Sequence, residues 1–176
     1  VQEPVLEDAD SGGPFSALKG SLYWPSSNRP IDCIIPARGG SKRFPGKNLA
    51  KVDGHPLIGY VIESARVSGV FGQVVVSTED DDIFKSAMEY GARVIRRPVD
   101  LAQDGVQAKE VVMHAMDVLD GEYANLKEPP KEYIAVIYPT AALITPSDIR
   151  EVFRVLTGGV FEVSGVMTIV RPSEHP

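Results

Sequence analysis

Short runs of apolar, mostly β-branched residues alternate with segments of helical period from residue 31 onward, and this alternation constrains the fold more than any other feature. Ile31–Pro36 and residues 73–77, with Val74, Val75 and Val76 inside, read as buried strands. Residues 93–95 and 133–138 read as two more, and residues 163–170 as a last one. Between them, Leu57, Ile58, Val61, Ile62 and Ala65 recur at helical spacing and predict a helix over 56–67. The run Ser77-Thr78-Glu79-Asp80-Asp81 is a helix-start signal for a second helix reaching about Tyr90, where Gly91 closes it. Val112, Ala115, Met116 and Leu119 share one face of a helix over 109–119. Thr145-Pro146-Ser147-Asp148 combines a capping box with proline at the first helical position and opens a helix to about Leu156. Strands alternating with helices predict an α/β fold of three αβα layers around a mostly parallel sheet. Ligands of such sheets bind beyond the carboxyl ends of the strands. The loops at residues 38–48, 77–82 and 138–145 leave those ends and are expected to face one crevice.

The first of these loops carries the chemistry. Arg38, Lys42, Arg43 and Lys47 stand among Gly39, Gly40 and Gly46 with no acid between them. Elsewhere the chain leans acidic, with 24 Asp+Glu against 18 Lys+Arg and a formal net charge of -6. That balance argues against nucleic-acid or membrane-surface binding, which needs a broad basic face. A glycine-rich basic loop after a buried strand instead suits a phosphate chain: glycines let backbone N–H groups approach an anion, and the cations offset its charge. A kinase-type P-loop needs four residues between glycine and Gly-Lys, followed by Ser or Thr. Here residues 41–45 separate Gly40 from Gly46, and Asn48 follows Lys47, so that pattern is excluded. The Gly-x-Gly-x-x-Gly dinucleotide fingerprint is also absent.

Residues 1–30 carry Ser11-Gly12-Gly13-Pro14 and Pro25-Ser26-Ser27-Asn28 without a sustained period, which predicts a flexible leader. Its Phe15, Leu18, Leu22, Tyr23 and Trp24 are the anchors a docking arm would use. The single cysteine, Cys33, reads as a small core residue of a reducing compartment, and no apolar run reaches the ~18 residues of a spanning helix, so a cytoplasmic protein is expected. The acids 79–82 read as a helix cap and first turn in preference to a metal site. His114 and His175 read as a helix and a loop residue in preference to acid–base catalysts.

The stretch Ile35-Pro-Ala-Arg-Gly-Gly-Ser-Lys-Arg-Phe-Pro-Gly-Lys-Asn48 closely resembles the opening motif of acylneuraminate-type cytidylyltransferases. The resemblance continues through Gly54-x-Pro-Leu-Ile, Val74-Val-Val-Ser-Thr-Glu-Asp, Tyr90-Gly-Ala, Arg97-Pro-x-x-Leu-Ala, His114-Ala, Tyr138-Pro-Thr-Ala and Glu174-His-Pro, collinearly over 31–176. It implies a nucleotidyltransferase domain over 31–176 with a Rossmann-like, nucleotide-diphospho-sugar transferase-like fold. It also implies joining of CTP to an acidic nine-carbon sugar, giving the CMP-sugar and pyrophosphate. Tyr138-Pro139-Thr140 is similar to the pseudaminic acid branch, whereas the sialic acid branch usually has glutamine in place of that tyrosine.

By this resemblance Arg38, Gly39, Gly40, Ser41, Lys42, Lys47, Asn48 and Arg97 bind the nucleotide, and Lys42 and Lys47 offset phosphate charge during catalysis. Tyr138 and Thr140 bind the sugar. Magnesium is implied as cofactor, with ligands beyond residue 176, because family members continue well past this point and the fold is expected to be incomplete there. A homodimer is usual in the family. Residues 103–108, Gln-Asp-Gly-Val-Gln-Ala, stand where the family has a Thr/Ser-rich turn contacting the nucleotide, and Ile144 stands where an arginine is common in the sialic branch. Two other readings therefore stay open: an inactive nucleotide-binding or interaction module, and a nucleotidyltransferase for a related acidic sugar.

Overall fold

The computed structural model describes residues 31–41, 44–127, 131 and 133–157. The leader 1–30, Lys42, Arg43, the strand expected over 163–170, and His175 lie outside the described residues. Strand β1 (Ile31–Pro36) leads into a 3₁₀ turn (Lys47–Leu49), then a small hairpin of β2 (Lys51–Val52) and β3 (His55–Pro56), and helix α1 (Leu57–Ser68). Next come β4 (Val74–Thr78), α2 (Asp81–Glu89), β5 (Arg93–Arg96), a second 3₁₀ turn (Val99–Ala102), α3 (Ala108–Leu126), β6 (Tyr133–Val136) and α4 (Pro146–Thr157).

The main sheet runs β5-β4-β1-β6, and each pairing is parallel. Cys33 stands opposite Val74 on one side and Ala135 on the other, and Val76 stands opposite Val94. Successive strand side chains point to opposite faces, so this register sorts the apolar residues into two layers. Ile34, Val75 and Ile95 meet Ala115, Leu119 and Tyr123 of α3. Cys33, Ile35, Val74 and Val76 belong to a second core with Ile58, Val61 and Ile62 of α1, Ile83 and Ala87 of α2, and Ile149 of α4. Residues of β4 are buried on both faces, as a parallel strand under helices requires. The expected three layers are present.

Two elements depart from the sequence reading. Helix α3 runs to Leu126 instead of stopping near Leu119. Gly121 looks like a terminator, but Tyr123 lies beyond it and is buried among the sheet residues. Its hydroxyl donates to Asp32 Oδ2 and accepts from Gln73 Nε2 at 2.9 Å, which secures the last turns of the helix. The hairpin β2–β3 was not anticipated. Asp53 (φ 49°) and Gly54 (φ 82°) form its two-residue turn in the left-handed region, where Asp-Gly is a favoured pair. Strand β6 ends at Val136, two residues before the expected Tyr138.

The remaining elements follow their local signals. Asp80 caps α2, its Oδ1 accepting from Asp82 N and Ile83 N at 2.9 Å each. At α4, Thr145 N donates to Asp148 Oδ2 at 2.9 Å and Asp148 N donates to Thr145 Oγ1 at 3.2 Å, a reciprocal box ahead of Pro146. No helix among the described residues is long and apolar enough to cross a membrane. The chain winds from β1 outward to β4 and β5, then returns to place β6 on the other side of β1. That reversal opens a crevice beyond the carboxyl ends of β1 and β6.

Candidate functional site

The loop after β1 is fixed at one peptide unit. Ala37 N continues the sheet pattern by donating to Ser77 O at 3.0 Å. One residue on, the carbonyl of Arg38 accepts from Asn48 Nδ2 at 2.9 Å, and the amide of Gly39 donates to Glu79 Oε1 at 2.8 Å. Both polar groups of the Arg38–Gly39 peptide are therefore held by side chains. Gly39 is glycine for a steric reason, since a Cβ there would lie 2.2 Å from Asp80 Oδ2. Its N–H is engaged with Glu79 and is not an open donor for an anion. Asn48 is buried, and its amide braces the loop while the residue also lines the crevice. Gly46 (φ 67°) turns the chain into the 3₁₀ turn that Lys47 begins. Lys47 lines the crevice and has no acidic partner among the described residues.

The opposite wall comes from the segment after β5. Arg97 has a side chain only 4% exposed, and its Nη2 donates to Glu79 Oε2 at 2.6 Å. The 3₁₀ turn and residues 103–106 then pass along the mouth, where Asp104 Oδ1 meets Arg38 Nη1 at 3.0 Å. Tyr138 and Thr140, just past β6, complete the rim. The crevice is open to solvent on one side and has a volume of about 340 Å³, within the usual range of small-ligand sites.

Arg38, Ser41, Lys47, Asn48, Arg97, Tyr138 and Thr140 thus line one crevice. Gly39 and Gly40 shape its loop without lining it. Lys42 lies outside the described residues. Two of the three expected loops face the crevice, whereas residues 77–82 stand behind it and act through Glu79. That carboxylate and Asp104 are what sequence reasoning missed. Glu79 sits at the carboxyl end of β4, the end at which ligands bind, but its acidic neighbours made it look like one more first-turn residue. Asp104 occupies the turn noted for its lack of hydroxyls, and its own charge went unread.

Asp32, Cys33 and Glu63, away from this crevice, have displaced titration. Burial raises Asp32, and its bond from Tyr123 partly offsets that. Burial also raises Cys33, which is fully enclosed, and pushes Glu63 up to about 7. His114 belongs to α3, and its Nδ1 is buried without a hydrogen-bond partner among the described residues. The crevice offers cations and hydrogen-bond donors for binding and orienting a polyanion. Among the described residues no group of three or more His, Cys, Asp and Glu is placed to hold a metal ion.

A family profile described as Cytidylyltransferase matches residues 33–171. A pseudaminic acid cytidylyltransferase of Campylobacter jejuni serotype O:2 is 37% identical over 123 residues, covering 69% of this chain and 51% of that protein. An N-acylneuraminate cytidylyltransferase of Oncorhynchus mykiss is 35% identical over 143 residues, covering 81% of this chain and 31% of that protein. The chain thus spans about half the length, or less, of these relatives. Among solved structures, a CMP:2-keto-3-deoxy-manno-octonic acid synthetase complexed with CTP superposes with a TM-score of 0.60 at 22% identity. That likeness covers 73% of this chain and 48% of the other, and concerns the fold alone.

Proposed function

Because the chain belongs to the cytidylyltransferase family, we propose that the crevice binds CTP and that the whole protein transfers its cytidylyl group to an acidic nine-carbon sugar. The observation that carries this reading is the convergence of Arg38, Lys47 and Arg97 on one crevice at the point where the strand order reverses. The anomeric hydroxyl of the sugar attacks the α-phosphorus of CTP. The new P–O bond forms as the bond to the β,γ-diphosphate breaks, pyrophosphate leaves, and the hydroxyl proton passes to solvent. Such a step needs positioning and charge stabilisation more than covalent work by the protein. Arg38 and Lys47 hold the triphosphate, with Lys47, free of acidic partners among the described residues, offsetting the charge that builds as pyrophosphate departs. Lys42 is assigned the same task from the family motif alone. Asn48 and Arg97 meet the nucleoside, and Tyr138 and Thr140 the sugar. Magnesium belongs to the reading through the family alone, and no group of three or more His, Cys, Asp and Glu among the described residues is placed to hold it.

Pseudaminate is the favoured sugar within this reading. It rests on Tyr138-Pro139-Thr140 and on similarity to a protein named for that substrate. A binding module without turnover is the alternative, and in either reading an anion must displace Asp104 to reach Arg38. Pyrophosphate release from CTP with magnesium and either pseudaminate or a sialic acid tests the proposal. CTP binding without release would leave the binding module, and release that requires UTP or ATP would overturn the choice of nucleotide. Lys47→Ala is expected to lower turnover by about 10²–10³ with little change in melting temperature. Full activity in that variant would remove Lys47 from the mechanism.

A further inference from the structure

Glu79 stands behind the crevice wall, yet it touches both halves of the site. One oxygen accepts from the Gly39 amide in the phosphate loop, at 2.8 Å. The other accepts from Arg97 Nη2 on the opposite wall, at 2.6 Å. Its own position is fixed from both sides: Asp80, the next residue, caps α2, and Arg96 Nη1 donates to the Glu79 carbonyl at 3.1 Å. The Glu79 side chain is 16% exposed and that of Arg97 is 4% exposed, so the pair is largely withdrawn from solvent. A guanidinium neutralised in this way offers direction more than net charge. Arg97 Nε is buried and has no partner among the described residues, while the residue lines the crevice wall. Such a group suits a carbonyl or hydroxyl acceptor better than a phosphate, whose charge falls to the more exposed Arg38 and to Lys47.

We propose that Glu79 is a positioning residue that sets the nucleoside-contacting Arg97 at a fixed place relative to the phosphate loop. The inference rests on the nucleotide reading of the crevice and goes beyond it, because Glu79 is not among the residues that line the crevice. The carboxylate joins the two recognition surfaces, so a ligand with both a nucleoside and a phosphate chain gains from that join, whereas a bare polyphosphate does not.

Two substitutions separate the two bonds. In Glu79→Gln the amide oxygen still accepts from Gly39, but the NH₂ group faces the Arg97 donors; Glu79→Ala removes both bonds. Titration calorimetry with CTP and with tripolyphosphate, on the 176-residue chain, reads the result. Glu79→Gln is expected to weaken CTP about tenfold and to change tripolyphosphate by no more than about twofold, while Glu79→Ala weakens both about tenfold. Equal losses for both probes in Glu79→Gln would mark Glu79 as a structural brace only, and unchanged CTP affinity would remove its role altogether. Should Glu79→Gln and Glu79→Ala not fold, Glu79→Asp keeps the charge but shortens the reach to Arg97, and it must weaken CTP more than tripolyphosphate or the proposal fails. A wild-type chain that binds no CTP would overturn the nucleotide reading itself. Wild-type binding with an indifferent Glu79→Gln would overturn only this step.

Discussion

Arg38 reaches its strongest visible partner within its own chain, for Asp104 occupies it at 3.0 Å across the mouth of the crevice. The two side chains are 39% and 50% exposed, so the bridge contributes little to stability. Its effect falls on binding, because an incoming phosphate meets a cation already in use and a carboxylate of its own sign beside it. Asp104→Asn is therefore expected to tighten CTP binding about two- to fivefold at low salt. Titration calorimetry checks this, and unchanged or weaker binding would show that Asp104 does not compete with the ligand. Neither Asp104 nor Glu79 was legible as a site residue, since their partners lie 66 and 40 residues away in sequence. Arg38, Lys47 and Arg97 were legible because cations among glycines, or within a motif, announce themselves without knowledge of their neighbours.

Elements whose boundaries are written in local chemistry agree with the sequence to within a residue or two. β1 and β4 are mostly apolar runs, α2 and α4 carry their caps, and α1 ends at Gly69 (φ 69°). Helix α3 and the hairpin differ because tertiary contacts, or two residues of turn, decide them. The far half of α3 depends on Tyr123, so Tyr123→Phe should cost about 1–3 kcal/mol by leaving Asp32 and Gln73 short of a partner. A fall in the urea midpoint with an unchanged slope is the expected result, and an unchanged midpoint would show that the network is not needed. Helix α1 carries the opposite kind of feature. Glu63 is 5% exposed, and its Oε2 has no hydrogen-bond partner among the described residues. Burial lifts its carboxyl from 4.5 to about 7, with Arg66 opposing the shift. The native state then holds this proton more tightly than the unfolded chain, so stability falls as pH rises from 4.5 to about 7 and stays reduced above it. Glu63→Gln should stabilise the protein by up to about 2–3 kcal/mol near pH 8 and by little near pH 4.5. Denaturant titrations at the two pH values test the sign; an equal gain at both would remove ionisation as the cause.

For the molecule as a whole, a net charge of -6 surrounds a crevice in which Asp104 holds Arg38 and Glu79 holds Arg97, so that Lys47 is the cation left without a carboxylate partner among the described residues. The attraction for a nucleoside triphosphate is therefore local and works against the general field. CTP affinity is expected to weaken by roughly threefold or more between about 0.05 and about 0.3 M ionic strength. Calorimetry at the two salt levels decides, and a salt-independent affinity would argue against a phosphate site. The three-layer architecture was legible from alternation alone, because burial on both sheet faces leaves few other arrangements. How the site is cross-braced was not, since that needs the coordinates of side chains. The doubly held Arg38–Gly39 peptide also has a temporal consequence. Its clamp from Asn48 spans ten residues and closes locally, whereas the clamp from Glu79 spans forty and waits until β1 and β4 have paired. In a refolding chain the Glu79 clamp is therefore expected to close after the local Asn48 clamp, so that the phosphate loop gains its final shape late.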